Sequence, residues 1–146
     1  MSNRINIQQL EPEAYKAMYP LEKYLSTTKL TPVHKVLIQI RASQINGCAY
    51  CINLHTKDAR KIGVTEQRIY ALNAWRDTAF FTEEEQAILA LTEEVTLITQ
   101  RVSDDTYNRA AKVLDEHYLA AVIMAAIAIN AWNRISISTR MLPAAD

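Results

Sequence analysis

The sequence predicts an all-α protein, a single-domain bundle of about six or seven helices joined by short connections. Three observations carry that expectation. Only two of the 146 residues are glycine, which favours helix over turn-rich architectures. No run of alternating apolar and polar residues reads as a strand. Helix start and stop signals, by contrast, recur along the chain.

Each element follows from local chemistry. Pro12 and Pro20 bracket a first short helical segment. In "TPVHKVLIQIRASQIN" Thr31 can cap a helix whose first residue is Pro32, where a missing N–H costs nothing, and Gly47 suits a left-handed stop. A second helix is expected from about Cys48 to Ile62, closed by Gly63. Thr65 can cap a third, "TEQRIYALNAW". Thr82 and Glu85 form a capping-box pattern that opens a longer helix, with Ile88, Leu91, Val95 and Ile98 on one face. Ser103 can start another, and a last long helix should span roughly Glu116 to Thr139.

Composition narrows the function. A chain of this length fits one domain, residues 1–146, and can bury a core without a disulfide or a metal. Sixteen basic residues balance sixteen acidic ones and neither sign forms a block, which argues against an electrostatic nucleic-acid binder. The first twenty residues lack the apolar core of a signal peptide. The most apolar run, "YLAAVIMAAIAI", stops at Asn130, short of the ~20 residues a bilayer demands, so a buried helix and no membrane association are expected. The expected location is cytoplasmic. There a Cys pair is more often catalytic or metal-binding than a staple.

The stretch "NGCAYCINLHTKDARKIG" holds both cysteines, Cys48 and Cys51, together with His55, between the two glycines. At helical spacing these three residues share an arc of roughly 60° with Ile52, Ala59 and Ile62. The opening turn of a helix favours thiolate over thiol. Residues three apart there have Cα atoms about 5–5.5 Å apart, within disulfide range. His55, one turn after Cys51, can take its proton. Two other readings stay open. The trio can be plain core, or a zinc site completed by His34, His117 or a carboxylate, since no second Cys pair exists. Covalent haem needs His directly after the second Cys, where Ile52 stands, and a thioredoxin-like motif needs a preceding strand.

Three segments carry a family resemblance. "IRASQINGCAYCINLHTKDARKIG", "ALNAWRDTAFFTEEEQAILALTEEVTLI" and "AINAWNRISISTRM" resemble the core, the following stretch and the ending of the AhpD-like alkylhydroperoxidase branch of the carboxymuconolactone decarboxylase superfamily, from about Leu30 to Met141. The resemblance implies a helical subunit that assembles into homo-oligomers, trimers or hexamers. It implies a dithiol–disulfide cycle that reduces organic hydroperoxides and is reset by a lipoyl-bearing or other dithiol partner. No cofactor or metal enters that cycle. Cys51 is then the reactive thiol, His55 the proton relay, and Cys48 the partner that completes the disulfide.

Two departures matter. The branch's glutamate twelve residues before the first Cys is Val36 here, and its histidine between the two Cys is Tyr50. "LTEEVT" places Glu93 at the position of another family glutamate, so Glu93 is the fourth catalytic candidate. A helical wheel instead sets Glu94 beside the Leu91–Ile98 stripe and Glu93 opposite, and an ordinary solvated acid is the plain alternative for both. Tyr50, Tyr70, Trp75, Phe80 and Phe81 are expected either to line a pocket for an alkyl peroxide or to serve as core. The functional expectation is a thiol peroxidase. The alternatives are a disulfide reductase or redox adaptor using the same dithiol, and a redox-responsive oligomer without turnover.

Overall fold

The computed structural model describes residues 4–145, and among them the regular structure is helix, with no strand. Two single-turn segments, α1 (Ile7–Leu10) and α2 (Pro12–Lys16), lead into α3 (Tyr19–Thr27). There follow α4 (Pro32–Asn46), α5 (Ala49–Lys61), α6 (Glu66–Ala71), α7 (Glu83–Thr96), α8 (Asp104–Val113) and α9 (Glu116–Thr139). The expected bundle is present.

The predicted caps form. Thr31 Oγ1 accepts from the His34 N–H, Thr65 from Arg68 and Ser103 from Thr106. The Thr82–Glu85 box closes in both directions, at 3.2 and 2.9 Å. Gly47, with φ 71°, ends α4, and the Cys48 N–H returns to the Ser43 carbonyl at 3.0 Å. That is the left-handed stop in which the chain reverses within one residue.

Two expectations need correction. The third helix does not run to Trp75. It ends at Ala71 and continues as a 3₁₀ segment, Leu72–Asp77, with Ala74 at φ −121° and ψ 30°. This kink seats Trp75 in the core and frees its indole for a distant acceptor. Nor does Ile98 extend the apolar face of α7, which stops at Thr96; Ile98 sits in a 3₁₀ turn and is 55% exposed.

The core has two parts, one on each side of α4. One gathers Ile38 and Ala42 of α4, both cysteines, Ile88 and Leu91 of α7, and the apolar residues of α9. The other gathers Val36, Leu37 and Ile40 with Ala59, Leu72, Trp75 and Phe81. By length and composition α9 could cross a membrane. Here it packs against α3, α4, α5, α7 and α8, and Leu119, Val122, Ala125 and Ile129 are buried.

A polar seam runs through this apolar interface. The Asn46 amide donates to the side-chain oxygens of Asn130 and Asn133, each at 2.9 Å. Asn133 donates to Ser43 Oγ at 3.0 Å, and Asn130 donates to Thr96 Oγ1 at 3.0 Å. Asn133 is fully buried. Buried amides are costly when unpaired and directional when paired, so the seam fixes how α4, α7 and α9 sit against one another. Asn133→Ala should therefore lower stability by about 2–3 kcal/mol, read from the urea midpoint at unchanged slope. A loss under about 0.5 kcal/mol, the range of an ordinary surface change, would remove the seam from that role.

Candidate active site

The tight turn at Gly47 leaves no loop between α4 and α5, so Cys48 becomes the N-cap of α5. Its sulfur takes the place of the usual cap oxygen and accepts from the Cys51 N–H at 3.3 Å. The two residues are joined as a disulfide across a Cα separation of 5.3 Å. Both are buried, at 2% and 3% exposure. Ser136 of α9 reaches the pair from the opposite side, its Oγ 3.7 Å from Cys51 Sγ.

Cys51, but not Cys48, opens onto a cavity of about 230 Å³. His55 and Ser136 share its wall with Cys51. The remaining wall is aromatic, with Tyr15, Tyr19, Tyr50 and Trp132, and it includes one carboxylate, Glu22. The trio singled out from the sequence thus lies at one place, with Cys48 behind Cys51.

The His55 side chain is 13% exposed. Its Nδ1 is buried without a hydrogen-bond partner, 3.6 Å from Asp58 Oδ2. Burial pushes the His55 pKa below its ordinary value of 6.5; the charges of Asp58 and Glu22 oppose that shift, and Lys35 adds to it. Burial thus favours the neutral imidazole, the form able to accept a proton.

Glu93 is not in this wall. Its carboxylate accepts from Arg41 Nε at 2.8 Å, Trp75 Nε1 at 2.8 Å and Arg76 at 2.6 Å. Burial alone would raise its pKa, but the bonds from Trp75, Arg41 and Arg76 outweigh burial and hold it below the ordinary value of 4.5. It clamps α4, the 3₁₀ segment and α7 together. Glu94 accepts from the Ser103 N–H and Thr106 Oγ1, both at 2.7 Å, and so secures the start of α8. Glu93 is buried, whereas Glu94 is half-buried and bonded at the surface to Ser103.

The other expected pocket residues divide. Tyr50 lines the cavity, Trp75 and Phe81 are core, and Tyr70 and Phe80 are exposed. Val36 is packed in the second core cluster. His34, offered as an extra zinc ligand, pairs with Tyr118 Oη at 2.6 Å, and His117 lines a groove with Tyr118. Among the described residues no group of three or more His, Cys, Asp or Glu side chains could hold a metal ion. The sequence reading missed Tyr15, Tyr19 and Glu22, which precede the stretch that carries the resemblance. It also missed Trp132 and Ser136, whose only signal was a polar side, shared with Asn133, on an otherwise apolar helix.

An all-α bundle with a helix-capping dithiol, open through one sulfur to a cavity that also holds a histidine, fits a redox role. The chain belongs to the carboxymuconolactone decarboxylase family, whose sequence profile matches residues 12–94, and its fold is AhpD-like. It is 45% identical over 139 residues to the uncharacterized protein YdfG of Bacillus subtilis (strain 168), covering 94% of this chain and 95% of that one. It matches the crystal structure of ATU0492 from Agrobacterium tumefaciens, a protein of unknown function and a candidate antioxidant defence protein AhpD. That match has a TM-score of 0.96 and 35% identity over 100% of both chains. The debrominase Bmp8 shares the fold alone, with a TM-score of 0.81 and 19% identity over 94% of this chain and 75% of that one.

Asp58→Asn removes a charge that raises the His55 pKa, so the imidazole should titrate further below 6.5, as read from its C–H shifts by NMR. An unchanged titration would mean that Asp58 does not act on the ring. For Glu93 the depressed pKa gives stability that is complete above about 4.5 and is lost as pH falls through the folded-state value. Glu93→Gln should cost about 2–3 kcal/mol at neutral pH, discounting the exposed Arg76, and progressively less under acid. Equal losses at both ends of the pH range would contradict this.

Proposed function

We propose that the protein is a thiol peroxidase that reduces organic hydroperoxides through the Cys48–Cys51 pair. The observation that carries the reading is one cavity in which the sulfur of Cys51 and the imidazole of His55 both form wall. His55 takes the Cys51 proton, and the thiolate attacks the terminal oxygen of the hydroperoxide. The O–O bond breaks, sulfur gains the hydroxyl as a sulfenic acid, and the departing alkoxide takes the proton held by His55. The Cys48 thiol then attacks the sulfenic sulfur; an S–S bond forms and water leaves. A dithiol donor, of lipoyl type or another, supplies two electrons and two protons to reopen the disulfide.

The division of roles rests on access and capping. Only Cys51 faces the cavity, which suits it to meet both peroxide and incoming donor thiolate. Cys48 holds a helix N–H on its sulfur, which suits it to leave as thiolate when the donor attacks Cys51. Ser136 is placed to donate to the Cys51 thiolate. A folded protein disulfide would have to reach sulfurs that lie beneath the surface, and this favours a small peroxide over the adaptor reading.

The working unit on this reading is a cytoplasmic homo-oligomer, trimer or hexamer. Its support is an apolar groove of about 650 Å³ between α7 and α9, lined by Leu91, Val95, Ile98, Ile123 and Ile127.

With dithiothreitol as donor, Cys51→Ser should lose even a single turnover of cumene hydroperoxide. Without a donor, Cys48→Ser should form one equivalent of sulfenic acid, trapped by dimedone, and no intramolecular disulfide. His55→Gln should slow the reaction by about 10²-fold. Wild-type turnover in both cysteine variants would end the proposal.

A further inference from the structure

The cavity wall has features that the peroxidase cycle itself does not require. Tyr15 and Trp132 stand edge to face with centroids 5.3 Å apart, and Tyr19 lies 6.0 Å from Tyr15 and 6.1 Å from Trp132. Tyr50 and Leu54 extend this surface toward Cys51. Within the aromatic wall sits Glu22, fixed by two donors: Trp132 Nε1 reaches Oε1 at 3.2 Å, and Lys35 Nζ reaches Oε2 at 2.9 Å. Glu22, ion-paired with Lys35, is thus the carboxylate among the wall residues, and no lysine or arginine lines the wall with it.

We propose that this cavity selects compact, uncharged, aryl-bearing hydroperoxides and discriminates against carboxylate-bearing ones, with the packed Tyr15–Trp132 pair as the surface a ring lies against and Glu22 as the charge filter. Aromatic edges and faces give a ring contacts that an alkyl chain does not find. A carboxylate brought into the cavity meets an anion and has no cation in the wall to pair with, so it loses hydration without recompense. Size acts in the same direction. At about 230 Å³ the cavity is smaller than the roughly 300–1,000 Å³ of drug-sized ligand sites. A mid-chain fatty-acyl hydroperoxide would have to bury chain on both sides of its O–O bond to reach Cys51.

The inference rests on the peroxidase reading for its chemistry, but its test does not need turnover. Cumyl alcohol, the product of cumene hydroperoxide, and its para-carboxy analogue are titrated into the oxidised protein and followed by NMR at pH 7. The neutral alcohol should bind about tenfold more tightly than the carboxylate. Glu22→Gln should shrink that ratio to about twofold, and Tyr15→Leu should weaken the neutral alcohol by about fivefold. Equal affinities in the wild type, or a ratio untouched by Glu22→Gln, would overturn the proposal. Cumene hydroperoxide consumption with dithiothreitol, measured separately, reports on the dithiol reading: its absence would end that reading and leave the binding ratio to decide this one.

Discussion

The site depends on one constraint: α4 must stop and α5 must start within two residues, with every backbone group at the junction satisfied. Gly47 supplies the left-handed conformation, the Ser43 carbonyl takes the Cys48 N–H, and the Cys48 sulfur takes the Cys51 N–H. Ser43 does more than receive the turn. Its hydroxyl accepts from Asn133, and Ser136 lies three residues further along the same helix, against Cys51. The residue that closes the turn and the helix that supports the sulfur are thereby joined through a single buried hydrogen bond. Loosening α9 would move the cap, and moving the cap would move the dithiol.

Two acids of the molecule, buried Glu93 and half-buried Glu22, are held in different ways. Glu93 has three donors on its two oxygens, its pKa is held down, and it does not line the cavity. Such a carboxylate ties elements together. Glu22 faces the cavity, and its charge reaches His55, working against the burial that favours the neutral imidazole. Position relative to the sulfur, rather than depth of burial, decides which acid can affect the reaction.

What the sequence revealed was what neighbours in the chain decide. Thr31, Thr65, Thr82 and Ser103 cap helices through bonds to residues three positions on, so their role was legible from the local pattern. The shared side of Cys48, Cys51 and His55 follows from helical spacing and was legible for the same reason. The break at Ala71 was not, because nothing in "EQRIYALNAW" forbids a continuous helix; beyond it Trp75 donates to Glu93, eighteen residues away, a contact no local pattern records. The wheel placed Glu93 away from the apolar stripe and so toward water, whereas α4 and the 3₁₀ segment cover that side. The cavity wall was least legible. Tyr15, Glu22 and Trp132 meet only because the first hundred residues fold back onto α9, and no spacing rule records a contact between residues 22 and 132.

Burial of the dithiol has a consequence for how it can work. The two Cα atoms are already 5.3 Å apart, within the range that a disulfide spans, so opening and closing the bond asks for side-chain rotation rather than a change of backbone. α5 can then remain a helix in both redox states, capped by Cys48 sulfur whether thiolate or bonded. A site that does not unfold to react admits only what its cavity admits. On the peroxidase reading, selectivity is therefore set by the aromatic and acidic wall above Cys51 and not by the sulfur chemistry, which is indifferent to the group that carries the peroxide.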